Sequence, residues 1–141
     1  MDYREVSVDR EFLLTLSYGA DYHEEIESFA ADRDVEAAWF GGTGAVEDVE
    51  LGIFDQDEFE YETVAFEEPL EVVACMGSVA LDEAGTPVAD AHVTLARPSG
   101  QAIAGRLERA TVFSGECYLR TFAESLDRER DETTGRDGWA V

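Results

Sequence analysis

The stretch DAHVTLARPSGQAIAGRL (residues 90–107) predicts two β-strands joined by a turn. Its middle segment, RPSG, has the composition of a turn, and apolar residues alternate with polar ones before it. Because successive side chains on a strand point to opposite faces, Val93 and Leu95 are expected to face the core. The opposite face then carries three polar residues, which are Asp90, His92 and Thr94.

Strand patterns of this kind fill most of the remaining chain. In residues 11–19 (EFLLTLSYG) an apolar face is formed by Phe12, Leu14, Leu16 and Tyr18. Residues 70–81 (LEVVACMGSVAL) are apolar on both faces, which predicts a central strand covered on two sides. The last long strand is predicted in ATVFSGECYLRTF, after a separate strand in QAIAGRL.

The glycine-rich segment GGTG (residues 41–44) lies between two further strand patterns. It lacks the Lys-Ser/Thr pair of a P-loop and the glycine spacing of a dinucleotide fingerprint. We therefore expect its glycines to allow a tight bend between strands or a close backbone contact.

One amphipathic helix is predicted after Asp21, which is a suitable N-cap residue. Its buried face has helical spacing and comprises Tyr22, Ile26, Phe29 and Ala30. His23 lies one turn before Glu27, and we expect these two side chains to form a solvated pair. One helix and about seven strands predict an α+β fold, an antiparallel sheet with one main flanking helix, in a single domain over residues 1–141.

The charge of the chain is strongly negative. Asp and Glu number 33 against ten basic residues, all of them arginine, which gives a net charge of −23. The acidic residues are spread along the chain, which favours adaptation to molar salt, where the Debye length is roughly 3 Å. The alternative is an acidic protein with a basic partner. No basic stripe for nucleic acid, apolar membrane span or signal peptide is recognisable, so we expect a cytoplasmic protein.

Two residues on the polar strand face form the main candidate site. Asp90 and His92 can act together as metal ligands, or as a carboxylate that orients an imidazole. If the faces of neighbouring strands meet, Arg106 and Glu116 join them in one polar pocket. The simpler alternative is a half-exposed histidine beside a carboxylate. Cys75 and Cys117 form no C-x-x-C pair and are expected to be buried free thiols.

The order of these segments resembles the plants-and-prokaryotes-conserved (PPC) domain in its small stand-alone archaeal and bacterial form. The resemblance rests on FGGTGAVEDVELGIFD, FEEPLEVVACMGSVAL, the hairpin and last strand within residues 91–119, and the tail DETTGRDGW. It implies an antiparallel sheet with a flanking helix, assembled as a homotrimer. The family is also catalogued as DNA-binding, but this chain has no AT-hook.

Stand-alone members of that family often carry three histidines suited to a metal such as zinc. The matching positions here are Asp90, His92 and Arg106, and Glu116 matches an acidic residue of the last strand. Arg106 cannot ligate a metal, although it can pair with Asp90 or Glu116 or bind an anion. The first hypothesis is thus a non-catalytic, trimeric regulatory module associated with DNA or a DNA-bound protein. The second is a metal- or small-anion-binding protein, or an enzyme, with its site at these four residues.

Overall fold

The computed structural model describes residues 1–141, which form one helix and eight strands. In chain order the elements are β1 (Val8–Leu16), α1 (Tyr22–Asp32), β2 (Ala37–Asp55), β3 (Glu60–Phe66), β4 (Leu70–Leu81), β5 (Pro87–Ala96), β6 (Ala102–Phe122), β7 (Arg128–Asp131) and β8 (Arg136–Trp139). The mostly antiparallel sheet with one helix is as predicted. Six strands form the main sheet, and the last two form a separate hairpin.

The main sheet closes on itself. Its strand order is β1-β6-β5-β4-β2-β3, and β6 also pairs with β2. The pairings of β6, β5, β4 and β2 therefore form a closed cycle, with β1 and β3 as the remaining edges. The side chains buried by these strands and by α1 form one continuous apolar core.

The two longest strands replace four predicted ones. β2 has 19 residues and runs through the GGTG segment, and β6 has 21 residues and joins QAIAGRL to ATVFSGECYLRTF. The glycines allow β2 to approach β6: a β-carbon added at Gly42 would lie 2.6 Å from the carbonyl oxygen of Glu116. Gly44 has a φ of +150°, at a shift in the β2–β4 register. Close backbone contact, not a turn, is thus the role of this segment.

The helix is capped and buried as predicted. Oδ1 of Asp21 accepts hydrogen bonds from the backbone N–H groups of His23, at 2.9 Å, and Glu24, at 3.2 Å. Oδ2 of Asp21 accepts a third, from the backbone N–H of Ala110 on β6 at 3.3 Å, which joins the start of the helix to the sheet. The buried face of α1 contains Tyr22, Ile26 and Ala30, with Phe29 partly buried.

Two predictions about buried surfaces need correction. Tyr18 is 74% exposed because β1 ends at Leu16, before the alternation reaches it. β4 is central, as predicted, but only residues 77–80 are buried on both faces. Val73 and Met76 point outward and are exposed. Cys75 and Cys117 are buried and free, as predicted.

No helix in the structure is both long enough and apolar enough to cross a membrane.

Candidate functional site

β5 and β6 bring three of the four predicted site residues together. His92 lies directly opposite Arg106 in the β5–β6 pairing, and Asp90 lies two residues before His92 on the same face. Val93 and Leu95 are buried on the other face, so the predicted alternation is confirmed. The polar cluster therefore occupies the outer surface of the sheet.

Asp90 is held by two arginines. Its Oδ1 accepts a hydrogen bond from Nε of Arg106 at 2.8 Å, and its Oδ2 lies 3.3 Å from Nη2 of Arg128. Nη1 of Arg128 also donates to Oγ of Ser78 at 2.7 Å. Burial alone would raise the pKa of Asp90, but the hydrogen bond from Arg106 and the two positive charges hold it below its ordinary value. Asp90 is therefore a carboxylate whose charge is already compensated.

Arg106 makes two further contacts. Its Nη1 donates to Oε1 of Glu108 at 2.9 Å, and its guanidinium carbon lies 5.1 Å from the ring centroid of Tyr61. A guanidinium held by two carboxylates and an aromatic ring has little freedom to rotate. Arg106 is thus a fixed positive group at the centre of the cluster.

His92 is exposed, and its closest polar neighbour is a third arginine. Nη2 of Arg136 lies 3.4 Å from Nε2 of His92. Burial of part of the ring lowers the pKa of His92, the charge of Asp90 opposes this shift, and the charges of Arg136 and Arg106 add to it. The imidazole is therefore neutral near pH 7, and Nε2 can accept a hydrogen bond from Arg136.

The C-terminal hairpin was missed as part of the site. β7 supplies Arg128 and β8 supplies Arg136, while Trp139 lies under the guanidinium of Arg128 at 5.5 Å and against Phe122 at 6.3 Å. Trp139 thus anchors the hairpin to the main sheet. The two strands have four residues each and are mostly exposed, so no apolar periodicity marks them.

Glu116 does not belong to this cluster. It lies ten residues beyond Arg106 on β6, on the order of 30 Å along the strand at about 3.3 Å per residue. It lines a different groove, between β1 and β2, with Thr15 and Thr43 among its neighbours. The prediction of one pocket for all four residues is therefore wrong for Glu116, since sharing a strand face does not bring distant positions together.

The solvated pair predicted for His23 and Glu27 does not form. Its Nε2 is buried and has no hydrogen-bond partner. Glu27 accepts a hydrogen bond from the backbone N–H of Ala89 at 2.9 Å instead of pairing with His23. Burial lowers the pKa of His23 despite the nearby carboxylates of Asp21 and Glu27. The reason is that this side of the first helical turn packs towards the sheet.

The residues at this site do not fit a metal ion. No three metal-ligating side chains converge anywhere in the chain. Both oxygens of Asp90 face guanidinium groups, and Arg106 occupies the position that would have to supply a third ligand. Positive charges this close would repel a divalent cation, whereas they would attract an anion.

An outward-facing row of side chains leads to the cluster. Successive members are direct cross-strand partners, so they lie side by side across the sheet. Its large apolar members Leu13 and Met76 are 86% and 61% exposed. In spatial order the row consists of Leu13, Tyr118, Gly41, Met76, His92 and Arg106.

The chain is similar to known proteins over its whole length. The model of the Plants and Prokaryotes Conserved (PCC) domain matches residues 3–123, so β7 and β8 lie beyond the matched part. A plant- and prokaryote-conserved (PPC) protein from Pyrococcus horikoshii is 25% identical with a TM-score of 0.91, covering 100% of this chain and 98% of its own. A metal-containing protein from Archaeoglobus fulgidus is 33% identical with a TM-score of 0.92, covering 100% of both chains.

A third solved structure, from Ralstonia eutropha JMP134, is described as a "Putative DNA-binding protein". It is 26% identical with a TM-score of 0.80, covering 92% of this chain and 90% of its own. No curated protein matches the chain.

Proposed function

We propose, since this chain belongs to the Plants and Prokaryotes Conserved (PCC) domain family, that it is a non-catalytic binding module that works as a homotrimer in a halophilic cytoplasm. The outward-facing row supports assembly, because Leu13 and Met76 are large apolar side chains left in water by a single chain. Large apolar side chains exposed along one row are typical of a surface that another protein covers.

Light scattering in molar KCl tests the assembly. We expect a mass about three times the 15.6 kDa of one chain. Changing Leu13→Asp together with Met76→Asp places two charges in the row and is expected to give monomers. Val6→Asp, at an exposed apolar residue before β1, is the matched control and is expected to leave the mass unchanged. A wild-type mass of one chain would contradict the proposal.

The ligand that best suits the cluster is a small anion. Three arginines converge on this region in a chain whose net charge is −23, so positive charge is concentrated here although Asp90 and Glu108 balance part of it. Asp90, His92 and Arg106 are the proposed binding residues, with Asp90 orienting Arg106 and Arg128. Guanidinium groups bind carboxylate and phosphate oxygens through two parallel hydrogen bonds. Glu116 has no part in this site.

Thermal unfolding with acetate, benzoate or phosphate, at constant total ionic strength, tests this anion site. We expect at least one of the three to raise the melting temperature of the wild type, because a ligand of the folded state stabilises it. Arg106→Gln and His92→Ala are expected to lose the increase while remaining trimeric. Equal increases in wild type and both variants would place the anion elsewhere.

A DNA-associated role is a further candidate, and the description of the Ralstonia eutropha protein favours it. Arg97 lies 2.7 Å from Glu68 and Arg109 lies 3.5 Å from Glu50, so these arginines have carboxylates beside them. We propose that any such role operates through a DNA-bound protein, because a chain this acidic repels phosphates. A gel-shift titration over all salt concentrations that keep the protein folded is expected to show no complex with duplex DNA; a salt-sensitive shift would contradict this.

A further inference from the structure

Arg136 differs from the other arginines at the site because it has no acidic partner. Arg106, Arg128 and Arg130 each lie within 4.0 Å of a carboxylate oxygen. Arg136 has no such contact, although acidic residues outnumber arginines by 33 to ten in the chain. Its positive charge is therefore the least closely paired of the four.

The contacts of Arg136 leave two of its guanidinium nitrogens without a partner. Nη2 donates to the hydroxyl oxygen of Tyr61 at 3.1 Å and faces Nε2 of His92 at 3.4 Å. The guanidinium carbon lies over the ring of Phe54, 5.4 Å from its centroid. Nη1 and Nε have no acceptor within the protein. Each of these two nitrogens can donate a hydrogen bond to an oxygen of a ligand.

A cavity of about 400 Å³ lies beside this group, between the C-terminal hairpin and the main sheet. Its size is within the range of small-molecule sites. The walls include Phe59 and Tyr61 from the β2–β3 hairpin, Asp90 and Arg106 from the sheet, and Arg136 from β8. Arg136 therefore reaches a cavity that could accommodate a small organic ligand.

The C-terminal hairpin is docked by contacts on both sides of Arg136. Gly135 lies against Phe59, and a β-carbon added at Gly135 would be 2.6 Å from Cδ1 of that ring. Phe59 itself has a φ of +56°, an uncommon conformation for a bulky residue. On the other side Arg128 joins the hairpin to Asp90 and Ser78. A binding group held in place before the ligand arrives loses less entropy on binding.

The charges and surfaces of the cavity select among anions. Three carboxylates lie in its wall with three arginines, so the charges of the wall are balanced and suit a singly charged ligand better than a doubly charged one. Phe59 is 46% exposed and offers an apolar surface beside Arg136. The preferred ligand thus combines one carboxylate with an apolar or aromatic body.

We propose that this cavity binds a small aromatic monocarboxylate, whose carboxylate accepts a hydrogen bond from Arg136 and whose ring lies against Phe59. This inference rests on the anion site of the proposed function and adds both the ligand class and the residue that recognises it. The hairpin is then part of the binding site, and the part of the chain matched by the family model does not contain the recognising arginine.

Isothermal titration calorimetry in molar KCl tests the proposal, with benzoate as the probe. Benzamide is its neutral analogue and phosphate is the competing anion class. We expect one benzoate per chain, weaker binding of phosphate and no binding of benzamide. Arg136→Gln is expected to weaken benzoate binding about tenfold or more, because glutamine carries no positive charge. Arg33→Gln, at an exposed arginine after α1, is the matched control and is expected to change nothing.

Each result has a defined meaning. Benzoate binding that is unchanged in Arg136→Gln, with a wild-type melting temperature, overturns the proposal. Phosphate binding tighter than benzoate overturns the ligand class but leaves the anion site of the proposed function intact. Equal binding of benzamide shows that charge is not recognised and also overturns it. If none of the anions binds, both the inference and the anion site fail, whereas the trimer is judged separately by its mass.

Discussion

Arg106 and Asp90 are diagonal neighbours on β6 and β5, and Nε of the arginine donates to Oδ1 of the aspartate at 2.8 Å. The residue directly opposite Arg106 is His92. The long side chain thus passes over its direct partner to reach the opposite charge, which cross-strand geometry permits for diagonal pairs. This one contact decides that Asp90 serves as a partner for arginine and leaves His92 free to meet Arg136.

Removing the charge of Asp90 should destabilise the fold. Its side chain and that of Arg106 are 28% and 29% exposed, so the pair is partly buried. In Asp90→Asn, Arg128 loses its carboxylate partner and Arg106 keeps only Glu108, and we expect the free energy of unfolding to fall by about 1–3 kcal/mol. Denaturant unfolding in molar KCl measures this. Glu50→Gln, which breaks the exposed pair with Arg109, is the control and should change stability by less than about 1 kcal/mol.

The stabilisation from Asp90 should depend on pH with a definite sign. Its pKa is lower in the folded protein than in the unfolded chain, where it is about 3.9. The folded state therefore gains stability above pH of about 4, and this gain is lost as the pH falls through the folded pKa. We expect the difference in unfolding free energy between wild type and Asp90→Asn to be constant from pH 5 to 7, because this interval lies about one unit or more above the unfolded pKa. Below pH 5 the difference should shrink. A constant difference down to the acid limit would contradict this mechanism.

His23 should make the fold sensitive to mild acid. Burial lowers its pKa, with Asp21, Glu27, Arg106 and Asp90 as the charged groups around it. Its contribution to stability is thus complete above the unfolded pKa of about 6.5 and is lost as the pH falls below it. We expect His23→Met, which also removes the unpartnered Nε2, to flatten the decline of unfolding free energy between about pH 6.5 and 5. Parallel curves for wild type and variant would show that His23 titrates normally.

Zinc binding should require two substitutions. The family resemblance places histidines at the positions of Asp90 and Arg106, where this chain has an ion pair. We expect wild-type protein purified without chelator to contain no stoichiometric zinc, and Asp90→His with Arg106→His to gain it, because three imidazoles suit this ion. Elemental analysis measures the content. His92→Ala added to the double variant should abolish the gain; zinc retained there would place the metal elsewhere.

Gly44 should tolerate no side chain. A β-carbon there would overlap the carbonyl oxygen of Ser114, and the φ of +150° disfavours any other residue. We expect Gly44→Ala to lower the free energy of unfolding by about 2–4 kcal/mol, since backbone atoms of β6 would have to move. Gly85→Ala has positive φ but nothing within 4 Å, and as a control it should cost about 1 kcal/mol. Similar losses of stability in both variants would mean that the positive φ alone, and not the contact with β6, makes the substitution unfavourable.

Alternation along the strands was sufficient to predict the polar face of β5. The pattern from Asp90 to Leu95 distinguishes core from surface without further information, and the pairing of Arg106 with Asp90 was among the expected alternatives. The helix cap at Asp21 was equally readable, because an N-cap depends on only a few neighbouring residues.

The errors concern relations that local patterns do not contain. Glu116 has the same strand character as Arg106, but its distance from the cluster depends on how far β6 continues without a turn. Arg136 and Tyr61 meet only because two hairpins dock against each other. β7 and β8 are polar and have no alternating apolar residues from which this docking could be predicted. His23 appears solvated on a helical wheel because the wheel omits the neighbouring sheet.

The closed cycle of pairings also constrains the order in which the chain can fold. β2 pairs with β6 through contacts such as Ala38 with Thr121. Roughly eighty residues separate these two positions in the chain, and the ribosome must add them before the strands can pair. A chain emerging from the ribosome therefore holds one side of β2 unpaired until β6 follows, and such open edges promote aggregation. The carboxylates along β2, including Glu47 and Glu50, give the unfinished edge a negative charge. Pairing of this edge with another chain would remove water from those carboxylates, and this cost protects the nascent chain even where salt screens their charge.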